Sequence, residues 1–157
     1  MKQRKTWREK LSDSKDLPKV LDIPDRLRAK WGTGNFVIPA PIEVDELMRR
    51  VPKGKLTTIN HIRMALARKH DTTVACPLTT GIFAWLAANA AEEDASEKKK
   101  RVTPYWRTLK AGGVLNEKYP GGVTAQKKRL LAEGHKLTKK GKKHLVADLE
   151  KSLFDFD

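Results

Sequence analysis

The sequence predicts a mainly α-helical fold with an N-terminal helical extension and a C-terminal β-hairpin. Apolar residues recur at spacings of three and four in several segments, and proline or glycine stands between those segments. In the lysine-rich tail, two apolar patches flank a basic turn. With 157 residues, of which 39% are hydrophobic, the chain is long enough to bury one core.

Residues 1–38 are predicted to form the N-terminal helical extension. Trp7 and Leu11 are four residues apart, which places them on one face of a short helix. Pro24 suits the first turn of a second short helix that carries Trp31. The glycines that follow should end this helix before the main domain begins.

The main domain is predicted to span residues 39–135 and to open with a helix that starts at Pro41. Val44, Met48 and Val51 have the spacing of an apolar stripe that faces a core. The proline–lysine–glycine sequence that follows is typical of a turn and should end the helix.

Two further helices have the order of a helix-turn-helix. The first is predicted to begin at Thr57 or Thr58, either of which can cap it. Residues 71–77 connect it to another helix, which should run from about residue 79 to 91. Residues 92–101 are polar, and we expect them to form a solvated loop. A hairpin beside such a helix pair would make the domain winged helix-turn-helix-like.

The third helix of this domain has one bulky face and one small face. Ala84, Ala87 and Ala88 share the small face. Small side chains allow close approach by another helix or by the floor of a nucleic-acid groove. The spacing alone favours helix packing.

The remainder of the main domain combines aromatic residues with turns. Residues 103–107 place two adjacent aromatic side chains before an arginine. Glycine pairs punctuate the segment after them, and a helix from about residue 123 to 133 should end at Gly134.

Residues 136–157 are predicted to form a basic hairpin and a C-terminal segment. Leu137 and Leu145 flank the basic turn at residues 139–142. Beside a helix-turn-helix, such a tip typically contacts phosphates. Alternatively, the lysines protect an exposed strand edge.

The chain is strongly basic, with 33 Lys and Arg against 19 Asp and Glu and a formal net charge of +14. A polyanionic partner is the commonest physical reason for such a charge, and solubility is the alternative. Cys76 lies in an apolar stretch and is expected to be a buried, inert thiol. The four histidines lack metal-ligand spacing, and no phosphate-binding glycine motif occurs. We therefore expect no catalytic residue, no metal and no cofactor.

The sequence contains no candidate membrane or secretory segment. Its apolar runs fall short of the roughly 18 residues that span a bilayer, and no apolar stretch follows the basic N-terminus. A single cysteine excludes an internal disulfide and fits a reducing compartment. We expect a cytoplasmic protein without a membrane partner, and we expect a monomer.

Five short motifs occur in the order of a known family. They are Val51-Pro52-Lys53-Gly54-Lys55-Leu56-Thr57-Thr58, similar to I-P-x-G-x-V-x-T; Asn89, similar to the Asn of A-x-x-N-P; Pro104-Tyr105-Trp106-Arg107, on P-C-H-R; Tyr119-Pro120-Gly121-Gly122, on Y-x-G-G; and Leu130-Leu131-Ala132-Glu133-Gly134, on L-L-x-x-E-G. With these motifs the chain resembles the methylated-DNA–protein-cysteine methyltransferase family. It is most similar to the alkyltransferase-like branch, which lacks the acceptor cysteine.

The resemblance implies a protein that binds double-stranded DNA without being an enzyme. Tyr105 stands at the acceptor cysteine position, and Trp106 stands at the histidine that would activate it. A phenol with a pKa near 10 cannot replace an activated thiolate. Ile59 and Thr80 stand where the family has the tyrosine and arginine that help to rotate a base out of the duplex. These departures argue against alkyl transfer and against base flipping by the family mechanism.

We therefore predict a non-enzymatic DNA-binding protein that senses alkylated bases for DNA repair, with other repair proteins as partners. Because the family binds the minor groove through small residues, the resemblance favours groove contact for the alanine face. The predicted DNA-binding residues are Thr57, Thr58, Thr79, Thr80, Ala84, Ala87, Ala88 and Arg107. The predicted pocket residues are Ile59, Asn89, Tyr105, Trp106 and Glu133. Tyr105 and Trp106 either line an open base pocket or fill and close it.

Two alternative functions remain open. The lysine-rich tail would also suit an RNA-binding or ribosome-associated module. An active transferase of the same family would have to use Cys76, the only thiol in the chain.

Overall fold

Helices carry most of the regular structure in the computed structural model, which describes residues 4–157. The helices are α1 (Trp7–Ser12), α2 (Arg28–Trp31), α3 (Pro41–Arg50), α4 (Ile59–Lys69), α5 (Pro77–Ser96), α6 (Gly122–Ala132) and α7 (Leu149–Ser152). The strands are β1 (Lys19–Asp22), β2 (Asn35–Ile38), β3 (Thr57–Thr58), β4 (Val74–Ala75), β5 (Thr108–Leu109), β6 (Leu137–Lys140) and β7 (Lys143–Val146). The predicted mainly α-helical class is confirmed. Within the described range, none of the helices has the length and apolar character needed to cross a bilayer.

α5 lies at the centre of the domain and packs against α1, α3 and α4. It is 20 residues long and begins with Pro77, at a position where a helix leaves the backbone N–H unpaired in any case. Ala84, Ala87 and Ala88 are fully buried in the main core. The alanine face therefore packs inside the protein, as its spacing alone favoured. Its contact with a DNA groove stays a prediction, which this burial opposes.

The C-terminal part of α5 differs from the solvated loop predicted over residues 92–101. The helix continues to Ser96. Glu93 accepts hydrogen bonds from the backbone N–H groups of Trp7 and Arg8, both at 3.0 Å. Asp94 is buried and forms ion pairs with Arg8 and Lys99. These acidic residues are structural, because they hold α1 against α5.

The N-terminal extension contains two strands as well as the predicted helices. β1 pairs with β2 in an antiparallel register, and β2 pairs in parallel with β4. Leu11 of α1 is fully buried in the main core. The extension thus contributes to the same core as the helices that follow, while the division into residues 1–38, 39–135 and 136–157 stays a prediction.

α4 and α5 form the predicted helix pair. The Thr58 hydroxyl accepts the backbone N–H of His61 at 3.3 Å, which caps α4 as predicted. The connector between the helices contains β4, and its pairing with β2 explains why it is longer than a simple turn.

The C-terminal hairpin is also confirmed. β6 and β7 pair from Leu137↔Val146 to Lys140↔Lys143. The chain then returns to the main domain, where the backbone N–H of Leu56 donates to the carbonyl of Ser152 at 2.8 Å. The Arg50 guanidinium donates to the carbonyl of Phe156 at 2.9 Å. These bonds join the last segment to the end of α3 and the start of the helix pair.

Candidate nucleic-acid interface

Three aromatic rings fill the region predicted to be a base pocket. Tyr105 and Trp106 lie on a 3₁₀ turn, are 2% and 8% exposed, and have ring centroids 5.4 Å apart. The Tyr119 ring also packs against Tyr105, with a distance of 5.3 Å between the ring centroids. All of these pairs are edge-to-face, a favourable arrangement for buried aromatics. This aromatic cluster of Tyr105, Trp106 and Tyr119 supports the alternative in which the pocket is filled and closed.

Glu92 and Arg129 lie against the aromatic cluster. The Tyr105 hydroxyl donates to Glu92 Oε1 at 2.5 Å, and Arg129 approaches the same carboxylate at 3.3 Å. The Arg129 guanidinium also lies 4.2 Å from the centroid of the Trp106 ring, within the range of a cation–π contact. Burial and the bond to Glu92 raise the pKa of Tyr105 above its ordinary value. The phenol therefore stays neutral and is a poor nucleophile at neutral pH.

Glu133 joins Trp106 to Arg107. It accepts the Trp106 indole N–H at 3.1 Å and pairs with the Arg107 guanidinium at 2.7 Å. Burial opposes its ionisation, but the hydrogen bonds from Arg107 and Trp106 outweigh it and hold the pKa of Glu133 below its ordinary value. Glu133 is therefore a charged partner inside the domain.

Arg107 is predicted to contact DNA, which stays a prediction, and its contacts within the protein oppose it. Its side chain is 13% exposed. In addition to the bonds to Glu133, Nη1 donates to the carbonyl of Val51 at 2.8 Å. Because the donors of the guanidinium are directed into the protein, Arg107 holds the 3₁₀ turn in place.

Most of the predicted threonine contacts are also internal. Thr57, Thr58 and Thr80 are at most 2% exposed. Thr58 caps α4, and the Thr80 hydroxyl donates to the carbonyl of Cys76 at 2.7 Å. Thr57 lies on β3 and has no helix-capping role. The burial of these three side chains opposes direct contact with DNA, which stays a prediction. Thr79 is half-buried, and its DNA contact stays a prediction.

The two other predicted pocket residues, Ile59 and Asn89, make contacts elsewhere than in the aromatic cluster. Ile59 is half-buried and lines an open concavity beside α5. The Asn89 amide donates to the carbonyl of Trp85 at 2.9 Å, within its own helix.

The outward face of α5 carries large apolar side chains. The sequence showed that the helix has a bulky face, but not that this face would be exposed. Leu78, Ile82 and Trp85 are 70%, 46% and 37% exposed, at spacings of four and three residues. The concavity beside this face has a volume of about 500 Å³. Its lining residues are Ile59, Pro77, Leu78, Gly81, Ile82, Trp85, Lys110, Asn116, Glu117 and Lys118. An exposed apolar helix face bordered by lysines is thus one unassigned surface of the helix pair.

Cys76 is buried, as predicted. It lies 9% exposed in a small apolar cluster with Ile23 and Phe36, immediately before α5. Among the described residues, no group of three or more His, Cys, Asp and Glu side chains could hold a metal ion.

No protein-family model matches the sequence, and no curated protein matches it. Two solved structures share its fold. S. pombe Atl1, crystallised with damaged DNA containing O6-carboxymethylguanine, is 17% identical with a TM-score of 0.52. S. pombe ATL, crystallised with DNA, is 16% identical with a TM-score of 0.54. Each match covers 73% of this chain and 94% of the other. The chain therefore has the fold of these alkyltransferase-like proteins, as its resemblance to that branch implied.

Proposed function

We propose that the chain is a non-enzymatic protein that binds duplex DNA through the outer face of α5, defined by Leu78, Ile82 and Trp85. The observation that carries the proposal is the exposure of this apolar face on the second helix of a helix-turn-helix pair. Lys110 and Lys118 border it. Two solved structures of the same fold contain DNA, which supports the choice of ligand.

Large apolar side chains suit a bound duplex in a particular way. Leucine and isoleucine on minor-groove binding proteins enter between base steps and partly unstack them. Leu78 and Ile82 have the exposure to act in this way, and the lysines beside them can neutralise phosphates. The net charge of +14 adds sequence-independent attraction.

The environments of the two candidate nucleophiles support a role without enzyme activity. Tyr105 is neutral, buried and bonded to Glu92. Cys76 is buried among apolar side chains. Cys76 has no base among the residues packed around it, and burial together with the bond to Glu92 raises the pKa of Tyr105, so that carboxylate does not ionise the phenol.

Recognition of alkylated bases is the finer part of the proposal. The aromatic cluster is filled by its own rings, and the concavity beside Ile59 and Ile82 adjoins the proposed DNA-binding face, where it could receive an extrahelical base. We propose this concavity as the sensing site. The test is a comparison of plain duplex with duplex that carries an O6-alkylguanine, using wild type and Ile59→Trp, which would fill the concavity. We expect the variant to lose a preference for the alkylated duplex that wild type shows. A wild type without such a preference would contradict the sensing proposal and leave only the proposal of duplex binding.

The double substitution Leu78→Ala/Ile82→Ala is expected to weaken duplex binding by roughly five- to thirtyfold. Each truncation removes apolar surface that DNA would cover, together worth about 1–2 kcal/mol. Fluorescence anisotropy with a labelled duplex measures the affinity. Leu131→Ala on α6 is the matched control, since Leu131 is 51% exposed and lies outside the proposed face.

The control should bind as wild type does, and thermal melting should show that both variants stay folded. Equal affinities for all three proteins would contradict the proposal. If a structured RNA displaces the duplex more effectively than an equal amount of unlabelled duplex, the RNA-binding alternative would be the better reading.

A further inference from the structure

The C-terminal hairpin is attached to the segment that borders the concavity beside α5. Val114 bridges Leu145 of β7, and the backbone N–H of Leu115 donates to the carbonyl of His144 at 2.9 Å. Lys110 and Lys118, which line the concavity, lie on either side of these two residues in the chain. The hairpin is therefore held in a fixed place beside the proposed DNA-binding face.

The tip of this hairpin, residues 139–143, concentrates positive charge that no ion pair among the described residues balances. Its lysines are Lys139, Lys140, Lys142 and Lys143, and all four are exposed. Across residues 4–157, none of the four has a carboxylate within the 4.0 Å that defines the ion pairs of this chain. Other lysines do find partners, for example Lys110 with Glu117 at 3.3 Å.

Two of these lysines oppose each other directly. Lys140 and Lys143 are register partners at the closed end of the hairpin. Like charges directly opposite each other in an antiparallel pair are destabilising. A bound polyanion would offset this repulsion, because it attracts both ammonium groups.

Protection of a strand edge accounts for only part of this arrangement. Lysines on an edge strand prevent pairing with other chains, and Lys139 and Lys140 lie on β6, which has β7 as its one neighbour among the described strands. β7 also has the bridge at Val114 on its other side, and Lys142 lies in the turn. Edge protection therefore leaves the lysines on the turn and on β7 unexplained.

We propose that the hairpin tip is a second DNA contact, in which Lys140 and Lys143 bind phosphates of the duplex that lies on α5. This inference rests on the proposed function. Strands of four residues extend about 13 Å, so the tip can reach backbone beyond the part covered by the helix. The contact is to the phosphodiester backbone and is independent of base sequence.

The test compares two double variants that remove equal charge. Lys140→Gln/Lys143→Gln alters the tip, and Lys98→Gln/Lys100→Gln alters an exposed run after α5 whose two lysines also lack carboxylate partners. The affinity for one plain duplex is measured over a range of salt concentrations. Two lost phosphate contacts should make the slope of log K against log salt less negative by about 1.8. The advantage of wild type over the tip variant should then shrink about tenfold between about 0.1 and 0.4 M salt.

The expected control slope is that of wild type within error. The tip variant should melt at the same temperature as wild type or higher, because a repulsive pair has been removed. A purely structural hairpin would give unchanged slopes in both variants, which overturns this inference while wild-type binding still supports the proposed function. Equal slope changes in the two variants also overturn it. So does a tip variant that loses more affinity for a structured RNA than for the duplex. A wild type that binds no duplex overturns the proposed function itself.

Discussion

Replacing Glu133 with glutamine is expected to lower the free energy of unfolding by about 3–5 kcal/mol. The substitution keeps the shape of the side chain but leaves the Arg107 guanidinium without its 2.7 Å counter-charge in a site where both side chains are at most 13% exposed. Urea denaturation, with its midpoint and slope, measures the loss. Glu117→Gln is the control, because it breaks an ion pair with Lys110 in which both side chains are about half exposed, a kind worth about 0–1 kcal/mol.

The same carboxylate gives this prediction a pH dependence. The pKa of Glu133 is lower in the folded chain than in the unfolded chain, where it is near 4.3. The contribution of the ionised Glu133 carboxylate to the free energy of unfolding is therefore fully present above about pH 4.3. It is lost as the pH falls through the lower pKa of the folded state. The stability difference between wild type and Glu133→Gln should narrow in that acidic range. A difference that stays constant down to about pH 2 would contradict the role given to Glu133.

Trp106→Ala is also expected to cost about 3–5 kcal/mol of folding stability, since it removes a buried ring from the aromatic cluster. If that cluster only closes the pocket, the ratio of affinities for alkylated and plain duplex should be the same in the folded variant as in wild type. The measurements are urea denaturation and paired binding titrations. Trp85→Ala is a suitable control, because this ring is 37% exposed on the outer face of α5.

Compared with Trp106→Ala, the control Trp85→Ala should lose less folding stability but more affinity for both the alkylated and the plain duplex. A changed ratio in Trp106→Ala, with its fold intact, would show that a base enters the aromatic cluster and would contradict the filled pocket. Tyr105→Phe offers a milder companion, since it removes only the hydrogen bond to Glu92, with an expected cost of about 1 kcal/mol.

The sequence carried enough information for the class of the fold. The apolar stripe of α3, the cap at Thr58 and the hairpin from Leu137 to Val146 all follow from local patterns, and the structure confirms them. β1 could not be found in this way, because all of its residues are exposed and no alternation appears. β3 and β5 contain two residues each, too few to show any period.

The candidate site was predicted less well, for a physical reason. Helical spacing separates the alanine face of α5 from the bulky face, but it does not say which face other helices cover. That depends on α1, whose contacts with Glu93 span more than eighty residues of sequence. Once α1, α3 and α4 cover the alanines, Leu78 and Ile82 remain outside. Similarly, Arg107 is directed inward because Val51 and Glu133 meet it there.

The attachments of α1 and of residues 152–156 have a consequence for the order in which the chain acquires its structure during synthesis. The bond from Trp7 to Glu93 closes a loop of 86 residues, and the bond from Arg50 to Phe156 closes one of 106. Closing such loops costs entropy before the contacts are gained, and topologies rich in distant contacts fold slowly. A ribosome would have to complete residue 156 before α3 gains its last partner. Until then Arg50 and Leu56 lack the partners that the last segment gives them in the finished fold, so we expect this part of the growing chain to stay incompletely packed until the end of translation.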